Sequence, residues 1–362
     1  MYQPHVISPL SIDRFAMRTL SALSALLLSI AGAAPNMVFI FLDDLDVEMG
    51  SSSAAYMPQL HSHIAAAGAS FSRSYVSVPV CCPSRSSLYT GQYQHNNRVL
   101  GNGIATNCSS AAWQAGPEKR TFPILLQAAG YRTFFAGKYL NDYGFPAVGG
   151  TAHVPPGWSD WHGLVGNSQY YNFTLSNNGA SEPHGDTPAD YLPTIVRKRS
   201  VAFMNTSVAA GAPFFAYMSF PSCHGPQEAE AQYQHLYPEA RAPRTPNYNA
   251  SVPDAHWLQA VQGVYGLDDN AAAFADLVFR RRLQTLRSVD AAIADVVTTL
   301  NALGVLNNTY IVFSADSERR VGGRRAMAAA RVLCLRPPCA ALPPPLPSSS
   351  TSQTATTRAP LG

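Results

Sequence analysis

Met37-Val-Phe-Ile-Phe-Leu42 is an unbroken apolar run, rich in β-branched and aromatic residues, that stops abruptly at Asp43-Asp44. A strand of that composition has no solvated side, so it belongs inside a mostly parallel sheet covered on both faces. The design returns twice. Tyr310-Ile-Val-Phe313 follows the turn residues Asn307-Asn308 and runs through Ser314-Ala315 into Asp316, and Pro213-Phe-Phe-Ala-Tyr-Met-Ser219 runs into Cys223-His224. Between these runs Leu283, Leu286, Ile293, Val297 and Leu300 recur at helical spacing, and Thr121 to Ala129 reads as a helix before Gly130-Tyr131 and a strand at Thr133–Ala136. Alternating strands and helices predict an α/β fold, with a mostly parallel central sheet and helices on both faces. Ligands gather beyond the carboxyl ends of such strands, so strand ends carrying Asp, Asp and His nominate a site.

Composition narrows the alternatives. With 46% apolar residues the chain has enough material for a large core, which excludes disorder throughout. Charged residues make up only 13%, and 28 prolines and 25 glycines favour turns over coiled coils and helical repeats. The net charge of +3 is an average of unlike parts: seven Arg against one Glu from Ser317 onward leave residues 1–316 at −3. A mildly acidic body without helix-turn-helix, zinc-finger or RNA-binding signatures gives nucleic acid no footprint.

The N-terminus specifies export. From Met17, an alternative start, a single Arg18 precedes an apolar run from Leu20 to Ile30 and small residues at Ala31-Gly32-Ala33-Ala34, the pattern of a cleaved secretory signal. The run is shorter than the roughly 20 residues a bilayer core requires, so no stable membrane anchor is expected. Residues 1–34 are thus a leader, and the mature chain is expected outside the cell or in the cell wall, with the lysosome an alternative. Sequons at Asn107, Asn172, Asn205, Asn249 and Asn307 are candidate N-glycosylation sites on such a surface. Six cysteines (81, 82, 108, 223, 334, 339) can pair in an oxidising compartment, but their spacing is neither a disulfide scaffold nor a zinc site.

The most specific stretch is Cys81-Cys82-Pro83-Ser84-Arg85-Ser-Ser-Leu-Tyr-Thr90-Gly91. Cys-x-Pro-Ser-Arg-x-x-x-x-Thr-Gly resembles the signature of type I, formylglycine-dependent sulfatases. Gly137-Lys-Tyr-Leu-Asn141, His256-Trp-Leu258 and Asn307-Asn-Thr-Tyr-Ile311 are similar to the N-acetylglucosamine-6-sulfatase and algal or fungal arylsulfatase group. The resemblance runs from about Pro35 to Asp316 and implies an alkaline-phosphatase-like fold. It implies hydrolysis of aryl sulfates or 6-sulfated sugars, as small molecules or in polysaccharide.

By that match Cys81, not Cys82, is oxidised to formylglycine, with a formylglycine-generating enzyme as partner during maturation. The hydrated aldehyde has two hydroxyls: one attacks sulfur, and the other, once deprotonated, collapses back to the aldehyde and ejects sulfate. The resemblance makes Asp43, Asp44, Asp316 and position 81 ligands of a hard divalent cation, Ca²⁺ rather than Mg²⁺. It gives Arg85 and Lys138 to the sulfate, and His224 to the sulfate ester or the departing oxygen. Many members place a His where this chain has Leu140, for which Asn141 or Tyr143 are the candidate substitutes. His256-Trp257 is a candidate sugar subsite, with Trp257 in the core as the competing reading.

The chain departs from the pattern after Asp316, where Asn-Gly or His-Gly is replaced by Ser317-Glu318-Arg319. Residues 35–316 read as an incomplete N-terminal catalytic domain with the C-terminal subdomain missing. Residues 317–362, rich in Pro, Ser and Arg and without periodicity, read as a disordered tail or the product of a read-through gene model. Two alternatives accompany the enzyme reading: a catalytically dead sulfatase-like glycoprotein that binds sulfated glycans, and a phosphate or phosphonate monoester hydrolase.

Overall fold

The three apolar runs become adjacent strands of one sheet in a computed structural model that describes residues 34–71, 74–246, 248–250, 256–257, 267–316 and 332–335. The expected signal sequence lies outside the described residues, as does most of the chain beyond Asp316. The strands are β1 (Asn36–Leu42), β2 (Ala69–Phe71), β3 (Arg132–Lys138), β4 (Asp160–Leu164), β5 (Thr174–Asn177), β6 (Ala180–Pro183), β7 (Phe214–Phe220), β8 (Thr309–Ala315) and β9 (Val332–Leu335). Their order is β2-β9-β8-β1-β7-β3-β4-β5-β6. The five in the middle, β8 to β4, run parallel, and the antiparallel strands flank them.

Helices cover both faces. On one side α3 (Leu192–Ala209) and α4 (Asp269–Ala302) pack Leu192, Phe203, Met204, Leu286, Ile293 and Leu300 against Val38, Ile40, Phe214 and Ile311. Each such apolar side chain contributes roughly 1.5–3 kcal/mol when fully buried, so this layer is a main source of stability. On the other side α1 (Cys81–Thr90) and α2 (Phe122–Ala128) join an aromatic cluster of Tyr89, Phe135, Tyr139, Trp161 and Tyr217.

Two expectations need correction. Of the three apolar runs, only β7 is buried along its whole length; in β1 and β8 burial alternates, and Met37, Phe39, Tyr310 and Val312 are partly exposed. On that side α1 does not reach the whole sheet, and a cavity of about 550 Å³ is lined by Phe39, Val312 and Leu88. The region after Asp316 is also not free of regular structure, because Val332–Leu335 pairs antiparallel with both β8 and β2. Pairing with an open strand edge supplied the order that the local sequence did not signal.

The register positions the site. Leu42 lies opposite both Phe220 and Ala315, so the residues that follow β1, β7 and β8 leave the sheet at one level.

Candidate active site

Beyond that edge the chain is tied together by its backbone. Asp43 N–H donates to the Ser222 carbonyl at 3.0 Å, Asp316 N–H to the Leu42 carbonyl at 3.1 Å, and Asp44 N–H to Asp316 Oδ1 at 3.1 Å. Asp44 takes a left-handed φ of 62°, which Asp tolerates better than most residues and which turns the loop sharply. Carboxylate oxygens of Asp43, Asp44 and Asp316 consequently lie within 4.8 Å of one another, all three residues buried.

α1 brings the signature to this cluster. Val80 is extended, Cys81 opens the helix, and Gly91, with φ 66°, closes it in the left-handed conformation that glycine adopts without strain. Cys81 and Arg85 are four residues apart, hence on one helix face. A carboxylate oxygen of Asp43, Cys81 Sγ and a ring nitrogen of His224 also fall within 4.8 Å of one another. Cys81 is a buried free thiol, and burial, reinforced by the Asp43 charge, pushes its ionisation far above the usual thiol range. An unmodified Cys81 thiol is therefore a poor thiolate nucleophile here.

Arg85 is completely buried and held on three sides. Its Nε donates to Asp316 Oδ2 at 2.6 Å, and Nη1 donates to the Lys138 carbonyl at 2.7 Å and Ser219 Oγ at 2.9 Å. Nη2 has no hydrogen-bond partner and lies 3.6 Å from Asp43 Oδ1, which also lacks one. Lys138 Nζ donates to Asp43 Oδ2 at 2.6 Å. Burial disfavours a charged Asp43, yet Lys138 and Arg85 outweigh it and hold the carboxyl well below the usual range. Burial, opposed by Arg85 but reinforced by Asp43, pushes Asp316 upward.

The glycine before Lys138 has a specific reason. Gly137 has φ 109°, and a Cβ there would run into the Ser219 backbone carbonyl. Only glycine lets β3 approach β7 closely enough for Ser219 to join Arg85 to the Lys138 carbonyl. His224 follows β7; its Nδ1 lies 2.6 Å from the Gly225 carbonyl, which fixes an Nδ1–H donor, and Nε2 is 3.9 Å from Asp44 Oδ2. Tyr170 Oη donates to the His224 carbonyl at 3.0 Å and holds this loop.

Residues 35–334 match the family model described as sulfatase, most of the chain. The chain is a member of the sulfatase family. It is similar to N-acetylglucosamine-6-sulfatase of Capra hircus, 41% identical over 302 residues covering 82% of this chain and 53% of the relative. An extracellular sulfatase SULF-1 homolog of Drosophila melanogaster is 41% identical over 80% of this chain and 25% of its own length. An arylsulfatase of Volvox carteri is 35% identical over 83% and 49%. The chain spans about half the length of the N-acetylglucosamine-6-sulfatases it matches. A protein solved with its substrate D-glucosamine-2-N,6-O-disulfate shares the fold at TM-score 0.59 and 17% identity, over 84% of this chain and 71% of that one. A phosphonate monoester hydrolase of Agrobacterium radiobacter does so at TM-score 0.58 and 18% identity, over 84% and 68%.

The sulfatase site suits a hard cation. Asp43, Asp44 and Asp316 offer oxygen donors, Asp43 Oδ1 is buried without a hydrogen-bond partner, and three carboxylates exceed the two cations Arg85 and Lys138.

Several residues around this site carried no sequence signal. Ser168, from the loop after β4, donates to Asp43 Oδ2, and Ser219 links Arg85 to Lys138. Arg282 of α4 is fully buried; its Nη2 donates to Asp46 Oδ2 at 2.7 Å and the Asp44 carbonyl at 2.9 Å, and its Nη1 reaches the Cys223 carbonyl at 3.5 Å. That guanidinium braces the loops that deliver Asp44 and His224.

Cys82 is not a loose neighbour of Cys81 but half of a disulfide with Cys108. Of the two candidates to replace the histidine missing at 140, Tyr143 is committed elsewhere: its hydroxyl donates to the His153 carbonyl at 2.6 Å and accepts from Trp161 Nε1 at 2.7 Å. Asn141 is buried with Oδ1 unpartnered. Trp257 is 66% exposed, against its reading as core, and stands beside His256. Asn172, Asn205, Asn249 and Asn307 are exposed and Asn107 is half-buried.

Proposed function

We propose that this sulfatase-family chain hydrolyses sulfate monoesters, aryl sulfates or 6-sulfated sugars, with Cys81 converted to formylglycine and Asp43, Asp44, Asp316 and position 81 holding Ca²⁺ in preference to Mg²⁺. The observation that carries the reading is the burial of Cys81 at a helix start among three carboxylates, with Arg85, Lys138 and His224 around it. The names of the relatives, N-acetylglucosamine-6-sulfatase and arylsulfatase, support the substrate class.

Formylglycine would supply two hydroxyls on one carbon, and a cation held by Asp43, Asp44 and Asp316 would supply positive charge. The protein's own residues do the rest. Arg85, locked by Asp316, Ser219 and the Lys138 carbonyl, keeps Nη2 as the donor available to a sulfate oxygen. Lys138 spends one of its three donors on Asp43 and has two left for the anion. His224, with its Nδ1–H spent on Gly225, leaves Nε2 to meet the sulfate ester or the departing alcohol oxygen.

Export is part of the proposal. The Cys82–Cys108 disulfide suits an oxidising compartment, four of the five sequons are exposed, and one relative is named as extracellular. Among the described residues no helix is long and apolar enough to cross a membrane. A formylglycine-generating enzyme is the partner this maturation requires.

The test compares turnover of nitrophenyl sulfate, nitrophenyl phosphate and N-acetylglucosamine 6-sulfate, with and without Ca²⁺. Calcium-dependent preference for sulfate supports the reading. Faster phosphate turnover would favour the phosphomonoesterase alternative, and binding without turnover the non-catalytic one.

A further inference from the structure

α4 carries three consecutive arginines, and they face different surroundings. Arg282 is buried against the catalytic loops, whereas Arg280 and Arg281 line a surface groove of about 650 Å³. Its other wall is the chain that follows His224, with Gln227, Glu228, Gln234 and His235. The groove adjoins the catalytic edge through two links: Arg282, next in sequence to Arg281, contacts the Cys223 and Asp44 carbonyls, and Gln227 lies three residues past His224.

Its chemistry is that of a polyanionic sugar site. Two permanent guanidinium charges and an imidazole face a single carboxylate, Glu228, and carboxamides complement hydroxyl groups. Arg280 Nη1 donates to the Ala240 carbonyl at 3.2 Å, which orients it along the wall. Arg281 is exposed and pairs with no carboxylate among the described residues.

We propose that this groove binds the neighbouring sulfated residues of an oligosaccharide whose 6-sulfated sugar occupies the catalytic site, so that a sulfated chain, not an isolated monosaccharide, is the preferred ligand. This rests on the sulfatase reading of the site. An aryl sulfate has nothing to place here, so the groove acts on chain affinity and leaves small-substrate chemistry alone.

The test uses the full chain, the Arg281→Ser variant and the Arg280→Ser/Arg281→Ser double variant. Calorimetry measures binding of a glucosamine-containing hexasaccharide with multiple O-sulfates, its desulfated counterpart and N-acetylglucosamine 6-sulfate, alongside nitrophenyl sulfate turnover. Expected is tighter binding of the sulfated hexasaccharide than of the monosaccharide, weakened roughly two- to fivefold by Arg281→Ser and roughly fivefold to thirtyfold by the double variant. Added salt should reduce the same preference, while monosaccharide binding and nitrophenyl sulfate turnover stay unchanged. Hexasaccharide affinity that is indifferent to both variants, or no greater than that of the monosaccharide, overturns the groove. Arginine-dependent hexasaccharide binding without monosaccharide binding or turnover keeps the groove and defeats the catalytic reading instead.

Discussion

Removing the Cys82–Cys108 disulfide should destabilise the protein substantially without touching its chemistry directly. The bond closes 26 residues of chain and anchors the first turn of α1, where Cys82 N–H also donates to Asn102 Oδ1 at 2.9 Å. Constraining a loop of 26 residues in the unfolded chain contributes about 3.5 kcal/mol at 25 °C in the chain-entropy account. For a domain of this size that corresponds to a fall in Tm of roughly 7–14 °C. The assay is thermal and urea unfolding of wild type and the Cys82→Ala/Cys108→Ala variant, each with and without reductant. Reductant should lower the wild type to near the variant and leave the variant unmoved, while Cys81→Ala retains the reductant response. A wild type indifferent to reductant under unfolding conditions would refute the reasoning.

Other consequences are equally specific. Gly137→Ala forces a Cβ against the Ser219 carbonyl at positive φ, so stability should fall by at least about 2 kcal/mol in urea unfolding. Arg282→Met strands the buried Asp46 carboxylate and should cost about 3–5 kcal/mol, much of it recovered when Asp46→Asn is added. In that single variant Ca²⁺ affinity by calorimetry should also drop roughly 10- to 100-fold, because the Asp44 carbonyl loses its brace. Saturating Ca²⁺ should raise the Tm of the wild type, by the equivalent of about 2.7 kcal/mol at a hundredfold excess over Kd, and the gain should vanish in Asp43→Asn.

Much of the architecture was legible because its signals are local. The runs at β1, β7 and β8, the helical spacing of Leu283 to Leu300 and the short helix after Thr121 each declare themselves within a few residues. The candidate site was legible for the same reason, since Asp43, Asp44, Asp316 and His224 stand on strand ends and Cys81 and Arg85 in a dense motif. What escaped depends on packing between distant segments. Arg282 meets Asp46 across 236 residues, and nothing in its helix separates it from Arg280 and Arg281. The need for glycine at 137 arises from the closeness of β3 to β7, and Ser168 reaches Asp43 from a loop. Partial exposure of Phe39 and Val312 depends on how far α1 extends, a property no single strand encodes. The partner of Cys82 was open because adjacent cysteines give spacing nothing to choose between.

The state of residue 81 tests the central claim most directly. Protein secreted from a host with formylglycine-generating activity should yield a tryptic peptide containing position 81 that is lighter by about 18 Da than the thiol form, as expected for Cys becoming formylglycine. The loss should disappear in Cys81→Ala, and the disulfide at Cys82 should be intact in the unreduced digest. A Cys81 that emerges from such a host as an unmodified thiol would contradict the account, because burial and the Asp43 charge disfavour the thiolate there.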